Sequence, residues 1–157
     1  MANPSVRQQL KNNIVSLLSP IKINNKSVNV FLNDPYSLED DDLPAICIQA
    51  TNEQSTVDVV GYPRSFVKVY SLEITCIYKA TDDLDNTVEE FATLIQEKLS
   101  ESILNVKILS VNGVVNDSTL TNILFSQFDD ISENTAGAVL NYDITYYIDE
   151  NNLRQTI

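Results

Sequence analysis

Val6, Leu10, Ile14, Leu17 and Leu18 recur at helical spacing until Pro20 ends the run, and Asn3 and Pro4 stand where a cap and a first-turn residue belong. The opposite face shows Arg7, Gln8, Lys11 and Asn12, so this first helix should lie on a core with its basic side outward. After a turn at Asn24-Asn25, Val28, Val30 and Leu32 alternate with Asn29, Phe31 and Asn33, the pattern of a short strand. Residues 34–42 are too acidic and turn-rich for a core element and read as a surface loop. A compact apolar run over 43–50 reads as a buried strand. The polar stretch 51–64, with Gly61 and Pro63, reads as an extended hairpin tip or arm.

The longest strand is predicted over 66–78, with Tyr70, Leu72, Ile74, Cys76 and Tyr78 on one face and Ser71, Glu73 and Thr75 on the other. Thr81, Asp82, Asp83 and Asp85 supply capping oxygens and negative charge where a helix should begin. Leu84, Val88, Phe91, Ala92, Ile95, Leu99 and Ile103 then mark its buried face. Further strands are predicted over 106–111, ahead of a turn at Asn112-Gly113 and a polar connection to Leu120, and over 123–128. Asp129, Asp130, Glu133 and Asn134 form a second acidic loop. In the last strand Ala138, Leu140, Tyr142, Ile144, Tyr146 and Ile148 alternate with polar or smaller partners. The order is helix, two strands, a long strand, helix, three strands. This predicts an α+β domain over 1–157, its mixed or mainly antiparallel sheet carrying two main helices, with a surface arm near 51–65 and a frayed C-terminus from about residue 149.

At 157 residues with 43% hydrophobic and 20% charged positions, the chain can bury a core without disulfides or metals. Its net charge of -12 sets 22 acids against 10 bases, so an extended surface for nucleic acid is not expected. The charge is uneven: residues 1–33 hold Arg7, Lys11, Lys22 and Lys26 and no acid, and the remaining 124 residues therefore carry -16. Cys47 and Cys76 lie inside apolar strand-like runs and read as reduced core residues. The start Met1-Ala2-Asn3-Pro4 leads into a polar amphipathic segment, and nowhere do about 18 apolar residues run together. Neither an exported nor a membrane-spanning chain is expected.

The chain has no histidine, which removes the commonest general base and metal ligand together with Ser-His and Cys-His nucleophile arrangements. Three glycines, Gly61, Gly113 and Gly137, build neither a phosphate-cradling loop nor a dinucleotide fingerprint. Two cysteines 29 residues apart do not make a structural zinc site. The carboxylates that remain, Glu39 to Asp42 and Asp82, Asp83 and Asp85, read as a solvated loop and a helix start. No enzyme activity, cofactor or metal is expected. Contact with other proteins is, and the candidate interface residues are Arg7, Lys11, Tyr36, Asp40, Asp41, Asp42, Asp58, Tyr62 and Arg64, since aromatic residues and Arg dominate binding surfaces.

The layout of an amphipathic N-terminal helix, Leu43-Pro44-Ala45-Ile46 opening a strand, an arm ending near Arg64, a long strand and an acid-capped helix resembles the tail terminator family of long-tailed bacteriophages. The resemblance spans residues 6–147 and is one of element order. It implies a ring, typically hexameric in that family, that caps the head-proximal end of the tail tube. The implied partners are other copies of the chain, the tube protein and the head-tail connector, assembling in the host cytoplasm and then in the virion tail. An acidic lumen would let DNA pass without sticking, with Glu89, Glu90, Glu97 and Glu101 as candidate lining. Two other readings stay open: a neck, head-completion or tube-related phage protein, and an acidic inhibitor or DNA mimic.

Overall fold

The computed structural model describes residues 5–61, 64–102, 117–149 and 152–156. Helix α1 covers Val6–Leu18. Its cap is Ser5, whose hydroxyl accepts from the Gln8 N–H at 3.2 Å while the Ser5 N–H donates to Gln8 Oε1 at 2.8 Å. The sequence reading set the cap at Asn3, which lies outside the described residues. The Ser-x-x-Gln box is the stronger local signal, because it satisfies two orphan donors at once. Val6, Leu10, Ile14 and Leu18 are buried.

A two-residue hairpin follows, β1 (Lys22–Ile23) and β2 (Lys26–Ser27), where only a turn is predicted from the sequence. Asn24 and Asn25 both have positive φ, 50° and 64°, the pair of left-handed residues that the tightest hairpin turns require and that asparagine tolerates. Strand β3 (Asn29–Phe31) then pairs in parallel with the start of β4 (Ala45–Val59). The loop between them contains two short 3-10 turns, Pro35–Ser37 and Asp40–Asp42, and the Leu43-Pro44 peptide leading into β4 is cis.

β4 does not stop at residue 50. It runs through the polar stretch 51–59 and pairs antiparallel with β5 (Ser65–Lys79) along that whole length. The stretch is the hairpin arm expected from the sequence, but it carries no strand periodicity of its own because both of its faces are polar. Pairing along β5 holds it as strand without the usual alternation. After helix α2 (Leu84–Ser102), strands β6 (Asp117–Gln127) and β7 (Thr135–Asp149) complete the main sheet in the order β3-β4-β5-β7-β6, and β8 (Asn152–Thr156) pairs with β7. β6 begins three residues before Leu120, inside what the sequence reading treats as a polar connection, and residues 152–156 are strand where it expects a frayed tail. The predicted strand 106–111, its turn at Asn112-Gly113, and Ile103 lie outside the described residues. The fold is α+β, with two helices and a mixed, mostly antiparallel sheet.

Both helices lie on one face. Val88, Phe91, Ala92, Ile95 and Leu99 of α2 and the buried residues of α1 form one core with Ile46 and Ile48 of β4, the even-numbered residues from Tyr70 to Tyr78 on β5, and the even-numbered residues from Ala136 to Ile148 on β7. On the other face only one end is covered. Leu38, Ala45, Cys47, Ile77 and Phe128 make a small second cluster beneath the loop holding the 3-10 turns. The rest of that face is a polar ladder in which the Ser71 hydroxyl donates to Asp143 Oδ1 at 2.6 Å and the Asn141 amide donates to the Asn122 side-chain oxygen.

At Gly137 there is no room for a side chain: a Cβ there would stand 2.2 Å from the backbone oxygen of Cys76 and 3.0 Å from the Phe128 ring. Backbone on one side and a buried ring on the other leave nothing to move aside. Gly137→Ala should therefore destabilise the protein by about 3 kcal/mol, measurable as a shifted denaturation midpoint at unchanged m-value.

Candidate functional site

Two β-bulges decide which side chains reach which face. Between Ala50 and Asn52 the register of β4 against β5 slips by one, and the Thr51 hydroxyl donates to the Ser71 carbonyl across the slip at 3.2 Å. Between Leu120 and Asn122 the same occurs in β6, with the Thr121 hydroxyl donating to the Asn141 carbonyl at 3.1 Å. A slip of one residue exchanges the two faces of everything beyond it. In β4 it carries Glu53 to the helix side, opposite Tyr70.

There Glu53 joins two elements. Its Oε1 accepts from the buried Tyr146 hydroxyl and its Oε2 lies 3.6 Å from the Arg7 guanidinium of α1. Burial, and then the hydrogen bond to the Glu53 carboxylate, push the Tyr146 phenol well above its usual range. Arg7 is therefore engaged within its own chain. So is Asp40, whose Oδ1 is 2.6 Å from Lys79 Nζ. The hydrogen bond from Lys79, helped by Ser132, holds the Asp40 carboxyl below its ordinary value. Two of the charges put forward from the sequence as contacts between copies thus already pair at home.

The other candidates are dispersed. Lys11 is half-buried on α1, Asp41 is exposed and Asp42 half-buried in the second 3-10 turn, and Tyr36 is exposed with its ring 5.9 Å from that of Phe128. Asp58 is the extra residue of a bulge near the end of β4, and Arg64 is exposed just before β5. Tyr62 lies outside the described residues. Glu89, Glu90 and Glu97 are exposed on α2, in the helix layer, and Glu101 falls in its last turn. These residues do not converge on one site.

What converges is exposed apolar surface. Among the described residues seven large hydrophobic side chains are exposed, and five fall in two places: Val57, Val59 and Val60 at the tip of the β4–β5 hairpin, and Leu124 and Phe125 near the end of β6. Val60 is 88% exposed, Leu124 56% and Phe125 57%. Register puts Leu124 on the open face, opposite Val139, and Phe125 on the helix face, opposite Ala138. Phe125 borders a groove of about 330 Å³, walled by Asp85, Val88 and Glu89 from the first turns of α2 and by Ser126, Gln127 and Gly137 from the sheet. β4 and β6 are the outer long strands on opposite sides of β5 and β7, so the two apolar places lie at opposite edges of one sheet. They also lie at opposite ends of it, because Ser65 pairs with Asp149 near the tip while Gln127 pairs with Ala136 near the groove. Sequence reasoning placed a contact at the arm tip through Asp58, Tyr62 and Arg64, but missed its apolar side chains and missed the groove beside β6 altogether. The three valines inside the polar stretch 51–64 were the available signal.

Among the described residues no group of three or more His, Cys, Asp or Glu side chains is placed to hold a metal ion, and no helix is long and apolar enough to cross a membrane. No family model matches the chain, and no curated protein does. Among solved structures it is similar to a chain of the virion of a native gene transfer agent particle, at 12% identity over 90% of each chain with a TM-score of 0.45.

The interior thiols are inert by construction. Burial pushes both Cys47 and Cys76 up to about 12, with Asp34 and Asp42 adding to the effect at Cys47, and burial pushes the Tyr142 phenol to about 12 as well. These groups hold their protons more tightly folded than unfolded. Their contribution to stability is therefore complete below about pH 8.5, the ordinary thiol value, and is lost as pH rises through 12. A thiol reagent at pH 8 should modify neither cysteine in the native protein and both after denaturation. Denaturation midpoints should fall steadily above about pH 9.

Proposed function

We propose that this chain is a structural assembly protein of a phage-like particle, closing with copies of itself into a ring that caps the head-proximal end of a tail tube and meets the head connector. The observation that carries the reading is the placement of exposed apolar side chains at opposite edges and opposite ends of one sheet. A chain with one such patch would pair by a twofold axis and stop. A chain with two different patches joins head to tail, and head-to-tail contacts close into rings or run on as filaments. The element order behind the resemblance to tail terminators, from an amphipathic first helix through a long hairpin to an acid-started second helix, supplies the choice of tube and connector as partners.

In such a ring the bulky helix layer takes the wider outer circumference and the open face of the sheet turns inward. The acids facing the lumen are then Glu73 and Asp143 of the polar ladder, opposite Gln49 and Ser71 respectively, instead of Glu89, Glu90, Glu97 and Glu101 on α2. Lys11, Asp41 and Asp42 remain available for a second, salt-sensitive contact between copies, since Arg7 and Asp40 are paired within the chain.

Particles assembled without this protein should show tails of uncontrolled excess length by electron microscopy, and the purified protein added to polymerising tube subunits should halt growth. Tails of normal length on empty or leaking heads would instead make it a neck protein.

A further inference from the structure

The hairpin tip and the groove beside β6 match each other in chemistry as well as in apolar character. The groove offers Phe125 together with Asp85 and Glu89, neither of which forms an ion pair among the described residues. The tip offers Val57, Val59 and Val60 together with Arg64, which is likewise outside any ion pair among the described residues. Lys68 adds a second positive charge on the distal hairpin, where its Nζ reaches Ser55 and lies 5.1 Å from the Phe66 ring centre; between residues 55 and 68 the acid is Asp58, while Glu53 nearer the root is engaged by Arg7 and Tyr146. On a chain of net charge -12, a basic apolar tip is the exception, and so is a use for it.

We propose that the hairpin tip of one copy seats in the groove between the end of β6 and the first turns of α2 on the next copy. Arg64 then faces Asp85 and Glu89, and Val60 at the turn covers Phe125. Within one chain the two surfaces are held apart by the width and length of the sheet, so they meet only between copies. A twofold alternative, groove to groove, sets Asp85 and Glu89 against their own counterparts and is opposed by like-charge repulsion. The contact rests on the self-assembly reading above. Its offset along the strands also means that neighbouring sheets are staggered instead of level.

Disulfide trapping tests it directly, because the native Cys47 and Cys76 are fully buried and do not compete. Val60→Cys protein mixed with Gln127→Cys protein, whose thiol lies on the helix face opposite Ala136, should give a cross-linked heterodimer, and neither variant alone should cross-link comparably. In the same preparations, Arg64→Glu should weaken self-association about three- to tenfold by sedimentation, and adding Glu89→Lys to that chain should restore it. All four positions are exposed, and circular dichroism checks that each variant folds. If self-association persists unchanged in Arg64→Glu and the mixed thiols do not link, the tip-to-groove contact is overturned while the assembly reading stands. If the protein neither self-associates at any concentration nor cross-links, both are overturned. Homodimers forming as readily as the heterodimer would overturn the head-to-tail geometry.

Discussion

The ladder between β5 and β7 is the constraint on which the rest of the structure depends. Each strand is 15 residues long and the pairing runs without a bulge from Ser65 opposite Asp149 to Lys79 opposite Thr135. An unbroken period of two across both strands keeps Tyr70, Leu72, Ile74 and Cys76 on the same side as Ile144, Tyr142, Leu140 and Ala138. The result is one continuous apolar floor on which α2 can lie. The buried side chains of α2 and α1 contribute roughly 1.5–3 kcal/mol each only because that floor is continuous and in register. Gly137 lets the two strands keep this register where Cys76 comes closest.

Irregularity is confined to the flanking strands. β4 and β6 each carry a bulge whose extra residue is a threonine, and in both cases the threonine hydroxyl closes onto a carbonyl of the neighbouring inner strand. The bulges let the outer strands change faces where the inner ones cannot. In β4 this brings a carboxylate to the helix side. In β6 it restores Ile123 to the core while leaving Leu124 and Phe125 exposed on opposite faces. The inner strands therefore specify the fold, and the outer strands are where surface chemistry is set.

That division explains what could be read from the sequence. β5, α2 and β7 announce themselves by clean periodicity, because each has one face that is apolar and largely buried along most of its length. The far half of β4 does not, since residues 51–59 are mostly exposed on both faces and owe their strand form to β5 alone. The β1–β2 hairpin is two residues per strand, too short for any alternation to register. As for the candidate site, Arg64 and Asp58 were legible as charges on a projecting segment. Their relation to Asp85, Glu89 and Phe125 was not, because residues far apart in sequence become complementary only once opposite edges of the sheet are known. The uneven charge was legible too, but its meaning changes: Arg7 on the basic segment and Glu53 on the acidic body meet inside one chain.

That meeting has a mechanical side. Glu53 sits on β4 just beyond the bulge, at the root of the projecting hairpin, and holds both the Tyr146 hydroxyl of β7 and the Arg7 guanidinium of α1. A sideways pull on the hairpin would otherwise peel β4 from β5 one hydrogen bond at a time, starting at the free tip. With Glu53 tied to a helix and to a second strand, the peel meets added resistance six residues short of the end of β4, where the Tyr146 hydrogen bond and the Arg7 ion pair must break together with the ladder. The hairpin is a lever with a fixed fulcrum.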